Sequence, residues 1–115
     1  MVTKKRTVEA ELFEKNGRHF SRRTEYHNNG QVRMTGVFTN SQSDWSWNVA
    51  VGTITHYYDD GKIKSTTSYN DYGALDGETT HYDRKGNLAK RARYKDDKLL
   101  EEEILIADFS EDPKP

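Results

Sequence analysis

Two histidines recur at a fixed interval and are the first residues whose type and spacing could do chemistry. His56 lies in GTITHYY and His81 in GETTHYD, 25 residues later. Imidazole is a common metal ligand, but equivalent positions of a two-strand repeat lie ~9–10 Å apart because strands are spaced by ~4.8 Å. Two zinc ligands must approach each other to within about 3 Å. We therefore predict no metal and no cofactor, and we place both histidines on the polar face of a sheet.

Five aspartates could be interpreted as calcium ligands, but their positions favour turns. None lies in the alternating D-x-D-x-D-G loop that calcium sites use, whereas aspartate is common in turns because its carboxylate bonds the local backbone. We predict the turn role for Asp59, Asp60, Asp71, Asp76 and Asp83. The run from Glu101 to Glu103 is interpreted as a solvated run or as protection of an edge strand against further pairing.

Local signals for catalysis are missing from the chain. The sequence has no G-x-S-x-G, no phosphate-binding loop and no HExxH. It also has no cysteine, which excludes disulfides, thiolate metal sites and cysteine nucleophiles. We expect a protein that is not an enzyme.

Two sets of residues are candidates for contact with a partner. Trp45 and Trp47 stand two apart in SQSDWSWNVAV, so they share a side if that segment is extended. Tryptophan is enriched at binding hot spots, but the favoured interpretation is that the pair covers a thin core where the repeat spacing is broken. The second set is basic and would suit an acidic partner, or would form an ordinary solvated face: Arg33, Lys62, Lys64, Arg91 and Arg93.

A repeated segment must position these residues. GTITHYYDDGKIKSTTSY begins at Gly52 and GETTHYDRKGNLAKRARY at Gly77, so the period is 25 residues. A third copy precedes them at a spacing of 31, with Gly30 and Phe38 matching Gly61 and Tyr69. A fixed period of this size marks an architecture of stacked structural units.

An aromatic residue, three polar residues and a glycine recur four times, ending at Gly17, Gly30, Gly61 and Gly86. We predict that each motif forms a type I turn closed by a glycine bulge, with positive φ at the glycine. In that geometry three tyrosines face an aliphatic residue across the hairpin: Tyr26 faces Val32, Tyr57 faces Ile63 and Tyr82 faces Leu88.

Alternation along the strands predicts a sheet with one apolar face and one polar, mildly basic face. The apolar face takes alternate residues from each repeat, namely Val32, Met34, Gly36 and Phe38, then Ile63, Ser65, Thr67 and Tyr69, then Leu88, Lys90, Ala92 and Tyr94. We expect its aromatic residues to be largely buried and stacked from repeat to repeat. In the first strand we expect Val8, Ala10 and Leu12 to form the buried side.

The predicted fold is all-β, an antiparallel up-and-down meander of about eight strands in a single twisted sheet. We expect a flexible N-terminus (1–6), a repeat domain (7–107) and a flexible acidic tail (108–115). The repeats fall near 21–39, 52–70 and 77–95, with a partial copy at 101–107 and an insertion at 40–51. Residues 99–109 could form a strand or a helix, and a strand over 101–107 is favoured.

The charge balance narrows the class of partner. Lys and Arg total 18 against 19 Asp and Glu, a net charge of −1, so no basic excess favours nucleic acid. No run is long and apolar enough to span a bilayer, and the first residues lack the apolar core of a signal peptide. We expect a cytoplasmic protein with a protein partner, and a homodimer through a sheet edge remains open.

The segment YYDDGKIKSTTSYNDYGALDGETTHYDRKGNLAKRARYKDDKLL resembles the MORN-repeat-variant family, although its links lack the usual Asn-Gly-Lys-Leu. The resemblance implies a binding module without catalytic residues, and many bacterial members are antitoxin components. It therefore favours an antitoxin or immunity protein that neutralises a toxin by binding it. The alternative is a structural or lipid-associated scaffold, which would need a dense cationic patch. Glu25, Asp59 and Asp60 dilute the basic set and favour the protein partner.

Overall fold

The protein is a single open antiparallel sheet. The computed structural model describes residues 8–39, 49–107 and 109, and the neighbour order of the strands follows the chain from β1 to β8. The predicted all-β, up-and-down meander is confirmed. The strands are β1 (Val8–Lys15), β2 (Arg18–Tyr26), β3 (Val32–Thr39), β4 (Ala50–Tyr57), β5 (Ile63–Tyr69), β6 (Leu75–Tyr82), β7 (Leu88–Lys95) and β8 (Lys98–Ile104).

Turns closed by glycine connect β2 to β3, β4 to β5 and β6 to β7 at one end of the strands. The predicted positive φ at these three glycines is confirmed. The φ angle is +90° at Gly30 and +94° at both Gly61 and Gly86, a region that side chains with a Cβ avoid. In each turn the glycine N–H donates to the carbonyl three residues earlier, as from Gly61 to Tyr58 at 3.0 Å. The register shifts beside the turn, and the predicted pairs form: Tyr26 with Val32, Tyr57 with Ile63, and Tyr82 with Leu88.

The prediction that the first turn belongs to the same class is wrong. Lys15 pairs directly with Arg18, so the loop has two residues, and both Asn16 (φ 53°) and Gly17 (φ 79°) lie in the left-handed region. Such a loop suits the twist of a tight hairpin and needs no bulge. The fourth copy of the bulged turn is instead Asn70 to Ala74, closed by Gly73 at φ 85°.

The sheet has two faces that cross-strand pairing defines, because directly paired residues share a face. The front face carries Ile54, Thr67, Thr79 and Ala92 in one continuous row across β4 to β7. The back face carries Thr55, Thr66, Thr80 and Arg91 in the next row. Among the described residues, few apolar side chains are buried, and only one of them is aromatic: Met34, Val51, Ile54, Tyr58, Ala89 and Ala92.

The aromatic residues are largely but not fully buried, and their predicted stacking from repeat to repeat is wrong for the described residues. Phe38, Tyr69 and Tyr94 are half-buried, as are Tyr26, Tyr57 and Tyr82. Within the described ranges the ring contacts join Phe13 to Phe20 and His81 to Phe109, not one repeat tyrosine to the next. A single sheet has no second layer to cover its face, so large side chains on it keep one side in solvent.

The two edge strands depart from the expected pattern in burial. On β1, Val8 and Leu12 are exposed and the opposite side bears the Phe13 contact, so the predicted buried side is wrong. The last segment is a strand rather than a helix, and β8 begins at Lys98 and ends at Ile104. All seven residues of β8 are exposed, because only β7 pairs with it. No helix of the described residues could cross a membrane.

Candidate functional site

The end of the sheet that carries the turns of Gly30, Gly61 and Gly86, here called the glycine-turn end, is stabilised by contacts from one repeat to the next. The residue that follows the repeat tyrosine reaches the carbonyl of the next repeat tyrosine: His27 Nε2 lies 2.9 Å from Tyr57 O, and Tyr58 Oη donates to Tyr82 O at 2.6 Å. Asn29 Nδ2 also donates to the Asp59 carbonyl at 2.7 Å. These bonds hold the three turns in a stack at this end of the sheet.

Tyr58 is the anchor of the glycine-turn end, and sequence reasoning missed it. Its side chain is 3% exposed, and the Arg84 guanidinium carbon lies 4.7 Å from its ring centroid, a distance that allows a cation–π contact. Arg84 also pairs with Asp59 at 3.0 Å. The available signal was the pair of adjacent tyrosines. Since Tyr57 faces Ile63 across the hairpin, the neighbouring Tyr58 must make a different contact.

The turn aspartates act on the local backbone. Asp83 Oδ1 accepts from Lys85 N and Asn87 N, both at 2.9 Å, and Asp60 Oδ1 accepts from Lys62 N at 3.0 Å. The backbone N–H of Asn87 lowers the pKa of Asp83 below its usual value, and the backbone N–H of Lys62 does the same for the pKa of Asp60. These contacts agree with the turn role that the sequence predicts for the two residues.

Acid should weaken the fold through these two carboxylates. Because both pKa values are depressed in the folded state, their contribution is fully present above the unfolded value of 3.8 and is lost as the pH falls through the folded pKa values. In Asp83→Asn the amide oxygen can still accept both bonds but cannot titrate. Urea unfolding between pH 2.5 and 6 should therefore show a smaller loss of stability on acidification in Asp83→Asn than in the wild type. Equal slopes in the two proteins would contradict the assignment.

The two repeated histidines lie on the front face, not on the predicted polar face. His56 and His81 both pair with Ser65, from opposite sides, and this row continues from Met34 to Lys90. The bulge between His56 and Tyr57 breaks the alternation from which the opposite face was inferred. Since Ser65 and β5 separate the two rings, and the described residues contain no group of three or more His, Asp or Glu side chains suited to a metal, we assign no metal chemistry to them.

The predicted basic set does not form one cationic patch. Its members lie on β3, on β5 with the turn before it, and on β7, so neighbouring members on alternate strands are ~9–10 Å apart. Carboxylates pair with four of them at these N–O distances: Arg33 with Glu25 (2.9 Å), Lys62 with Asp60 (3.2 Å), Arg91 with Glu103 (3.0 Å) and Arg93 with Glu101 (3.6 Å). The fifth, Lys64, lies 5.9 Å from the Tyr58 ring centroid.

Trp45 and Trp47 lie outside the described residues, as does most of the predicted insertion. The two ends of that stretch are joined: Thr39 N donates to Val49 O at 2.9 Å, and Val49 N donates to Thr39 Oγ1 at 3.0 Å. Ala50 and Val51 belong to β4 rather than to the insertion. These bonds hold the two ends of the β3–β4 connection together, at the strand ends opposite the turns of Gly30, Gly61 and Gly86.

An apolar patch interrupts the back face near that connection, which sequence reasoning also missed. Phe13 stacks on Phe20 with centroids 5.3 Å apart, and Val37 pairs with Val51 two strands away. These four side chains form the floor of a groove with a volume of ≈ 500 Å³. The two-residue turn at Asn16-Gly17 was the signal, because it sets Phe13 opposite Phe20.

The family comparison agrees with the geometry of the hairpins. A family model described as MORN repeat variant matches residues 50–71 and 75–96. The first match contains β4 and β5 and the second contains β6 and β7, so each matched unit is one hairpin with its bulged turn. Searches of the curated proteins and of the solved structures give no significant match.

Proposed function

Since two hairpins of the chain match the family model described as MORN repeat variant, we propose that the chain is a non-catalytic protein-binding module that acts as an antitoxin. It would neutralise a toxin by covering part of the toxin's surface. No chemical step is required of this chain in that mechanism. The family resemblance supports the antitoxin role, and the shape of the sheet supports the binding role.

The observation that carries the proposal is the openness of the sheet. The chain extends 48 × 45 × 19 Å, and a single eight-stranded sheet makes up its described fold. A standard interface buries ~800 Å² on each partner, which a face of these dimensions can supply. The half-buried aromatic residues on the front face offer the kind of surface on which partner side chains pack.

Lipid association is the weaker alternative. Binding to an anionic bilayer gains about 1 kcal/mol for each Lys or Arg near the surface, provided that these charges are available. Here Arg33, Arg91 and Arg93 each pair with a glutamate. Internal pairing reduces the field that a headgroup would meet, so the protein partner is favoured.

The test is affinity capture by the full chain from its source cell, followed by expression of the captured protein in a host. We expect one stoichiometric protein that arrests growth when expressed alone and is harmless when this chain is co-expressed. Capture of a harmless protein would reject the antitoxin role but keep the binding role. The absence of any protein partner would reject both.

The predicted hot spot is tested by changing Trp45 and Trp47 together to alanine. If they bind the partner, affinity should fall about thirtyfold or more, equivalent to ≥ ~2 kcal/mol, while the melting temperature stays unchanged. If they cover the core, the variant should lose stability and binding together. Tyr72→Ala is the matched control, because Tyr72 is 88% exposed in the turn between β5 and β6. Calorimetric titration beside thermal melts separates the outcomes.

A further inference from the structure

The groove on the back face combines an apolar floor with cations that have no acidic partner. Its floor is made by Phe13, Phe20, Val37 and Val51, and Lys15 and Arg18 stand at its rim. From this combination we infer that the groove binds a partner segment in which aromatic or aliphatic side chains alternate with aspartate or glutamate. The inference rests on the proposed partner-binding function and names the surface and the chemistry of the partner.

The floor is continuous because all four residues lie on one face. Phe13 pairs directly with Phe20, and Val37 pairs with Val51. Arg22 pairs with Val37 and links the two halves, because it sits on the same face of β2 as Phe20. Val51 is buried, whereas Phe13, Phe20 and Val37 are half-buried. Apolar surface of this kind gains free energy when a partner side chain removes it from water.

The cations Lys15 and Arg18 at the rim differ from the basic set of the repeats in that, within the described ranges, no carboxylate pairs with them. The Arg22 guanidinium pairs with Glu11 at 2.8 Å. In contrast, no carboxylate of the described residues lies within 4.0 Å of the Lys15 ammonium or the Arg18 guanidinium. Arg18 Nη2 donates to the backbone carbonyl of Asp71 at 3.0 Å, and Asp71 itself is the acidic residue of the lining. The bond to Asp71 holds Arg18 at the rim, where its charge can meet an incoming carboxylate.

The same aromatic residues could be taken for a stacking platform for single-stranded nucleic acid. Their stacking positions are already filled: the rings stack on each other with an interplanar angle of 22°, and the guanidinium carbons of Arg18 and Arg22 lie 5.2 Å and 4.9 Å from the Phe20 and Phe13 centroids. A base that stacked on either ring would have to displace these contacts, whereas an apolar peptide side chain can pack against the half-buried Val37 and leave them in place. The arrangement therefore favours a peptide segment over a nucleic acid.

The experiment measures fluorescence anisotropy of the labelled peptide Gly-Asp-Phe-Asp-Phe-Asp-Gly with the full chain. We expect saturable binding that weakens at high salt, since screening shortens the reach of exposed charges. The double variant Lys15→Glu with Arg18→Glu should bind at least about fivefold more weakly, as expected for the loss of two exposed ion pairs. Lys85→Glu with Lys98→Glu is the matched control, because it makes the same change in net charge outside the groove and should bind as the wild type does.

Two control peptides test the contributions of the apolar floor and of the charged rim to binding separately. Replacing the phenylalanines by serine, or the aspartates by lysine, should each abolish detectable binding. The inference is overturned if the wild type does not bind at 1 mM peptide, if both double variants bind equally, or if the oligonucleotide dT8 binds as tightly as the peptide. It is also overturned if the Trp45→Ala, Trp47→Ala variant binds the peptide much more tightly, because residues 40–48 would then be the occupant.

The proposed function and the groove can fail separately. If affinity capture finds no partner but the peptide binds in the expected pattern, the proposed function fails and the groove stands. If a captured partner is retained equally by the wild type and the Lys15→Glu, Arg18→Glu variant, the groove is rejected and the proposed function stands. Loss of the partner from that variant alone supports both.

Discussion

Replacing Tyr58 by alanine should lower the free energy of unfolding by about 3–5 kcal/mol, the range found for removing a buried aromatic side chain. The side chain is 3% exposed, its hydroxyl donates to the Tyr82 carbonyl and its ring contacts Arg84. Small domains have only ~5–15 kcal/mol of stability in total. Urea unfolding followed by circular dichroism should show a much lower midpoint, with little change in slope.

Two controls separate the ring of Tyr58 from its hydroxyl. Tyr58→Phe keeps the packing and removes one hydrogen bond, so it should cost about 0.5–1.5 kcal/mol plus the effect of leaving the Tyr82 carbonyl without that partner. Tyr72→Ala removes a tyrosine that is 88% exposed and should change stability by less than about 0.5 kcal/mol. A Tyr58→Ala protein as stable as Tyr72→Ala would show that the stacked turns do not depend on this anchor.

Replacing Gly36 by alanine should cost about 1–3 kcal/mol through overpacking. A Cβ at Gly36 would lie 2.1 Å from Ile54 Cδ1, and 3.3 Å and 3.4 Å from Cγ1 and Cγ2 of the same side chain. Gly36 has no positive φ, so the cost arises from packing rather than from the backbone. Ile54 is buried on the front face and cannot turn its side chain into solvent without losing that burial.

A double-mutant cycle tests the cause. Ile54→Val removes the Cδ1 atom that the new methyl group would meet, so Gly36→Ala should cost at least ~0.5 kcal/mol less in that background than in the wild type. Gly61→Ala is the control: its φ is +94°, the nearest atom to its Cβ lies at 3.6 Å, and its cost of about 1–2 kcal/mol should come from backbone strain alone. That cost should be the same with Ile54 or Val at position 54. Additivity for Gly36 and Ile54 would reject the steric explanation.

The sequence predicted the strands and turns well because their signals are local. Gly61 and Gly86 recur at one spacing, and a turn that needs positive φ selects glycine wherever it occurs. The pairing of Tyr57 with Ile63 followed from the turn alone. The candidate site was predicted less well: the basic residues were identified, but the glutamates on β8 that pair with Arg91 and Arg93 depend on a register between strands that no local pattern contains.

Faces and burial are where local reasoning failed, for two physical reasons. A bulge shifts the alternation of side chains by one residue, and it moved His56 and His81 to the front face. The second reason is the number of layers, because a strand pattern shows which residues share a face but not whether anything covers that face.

The amino-acid sequence by itself determined the repeat, the order of strands and turns, and the match of two hairpins to the MORN-repeat-variant model, since each depends on residues within one hairpin. Only the tertiary structure decided which tyrosine is the anchor, which cations are paired and where the groove lies. Tyr58 reaches Tyr82 across 24 residues, and Phe13 and Val51 join one floor across 38. Such contacts arise from the stacking and register of whole hairpins, which are set by the sum of many weak interactions along the sheet rather than by any single motif.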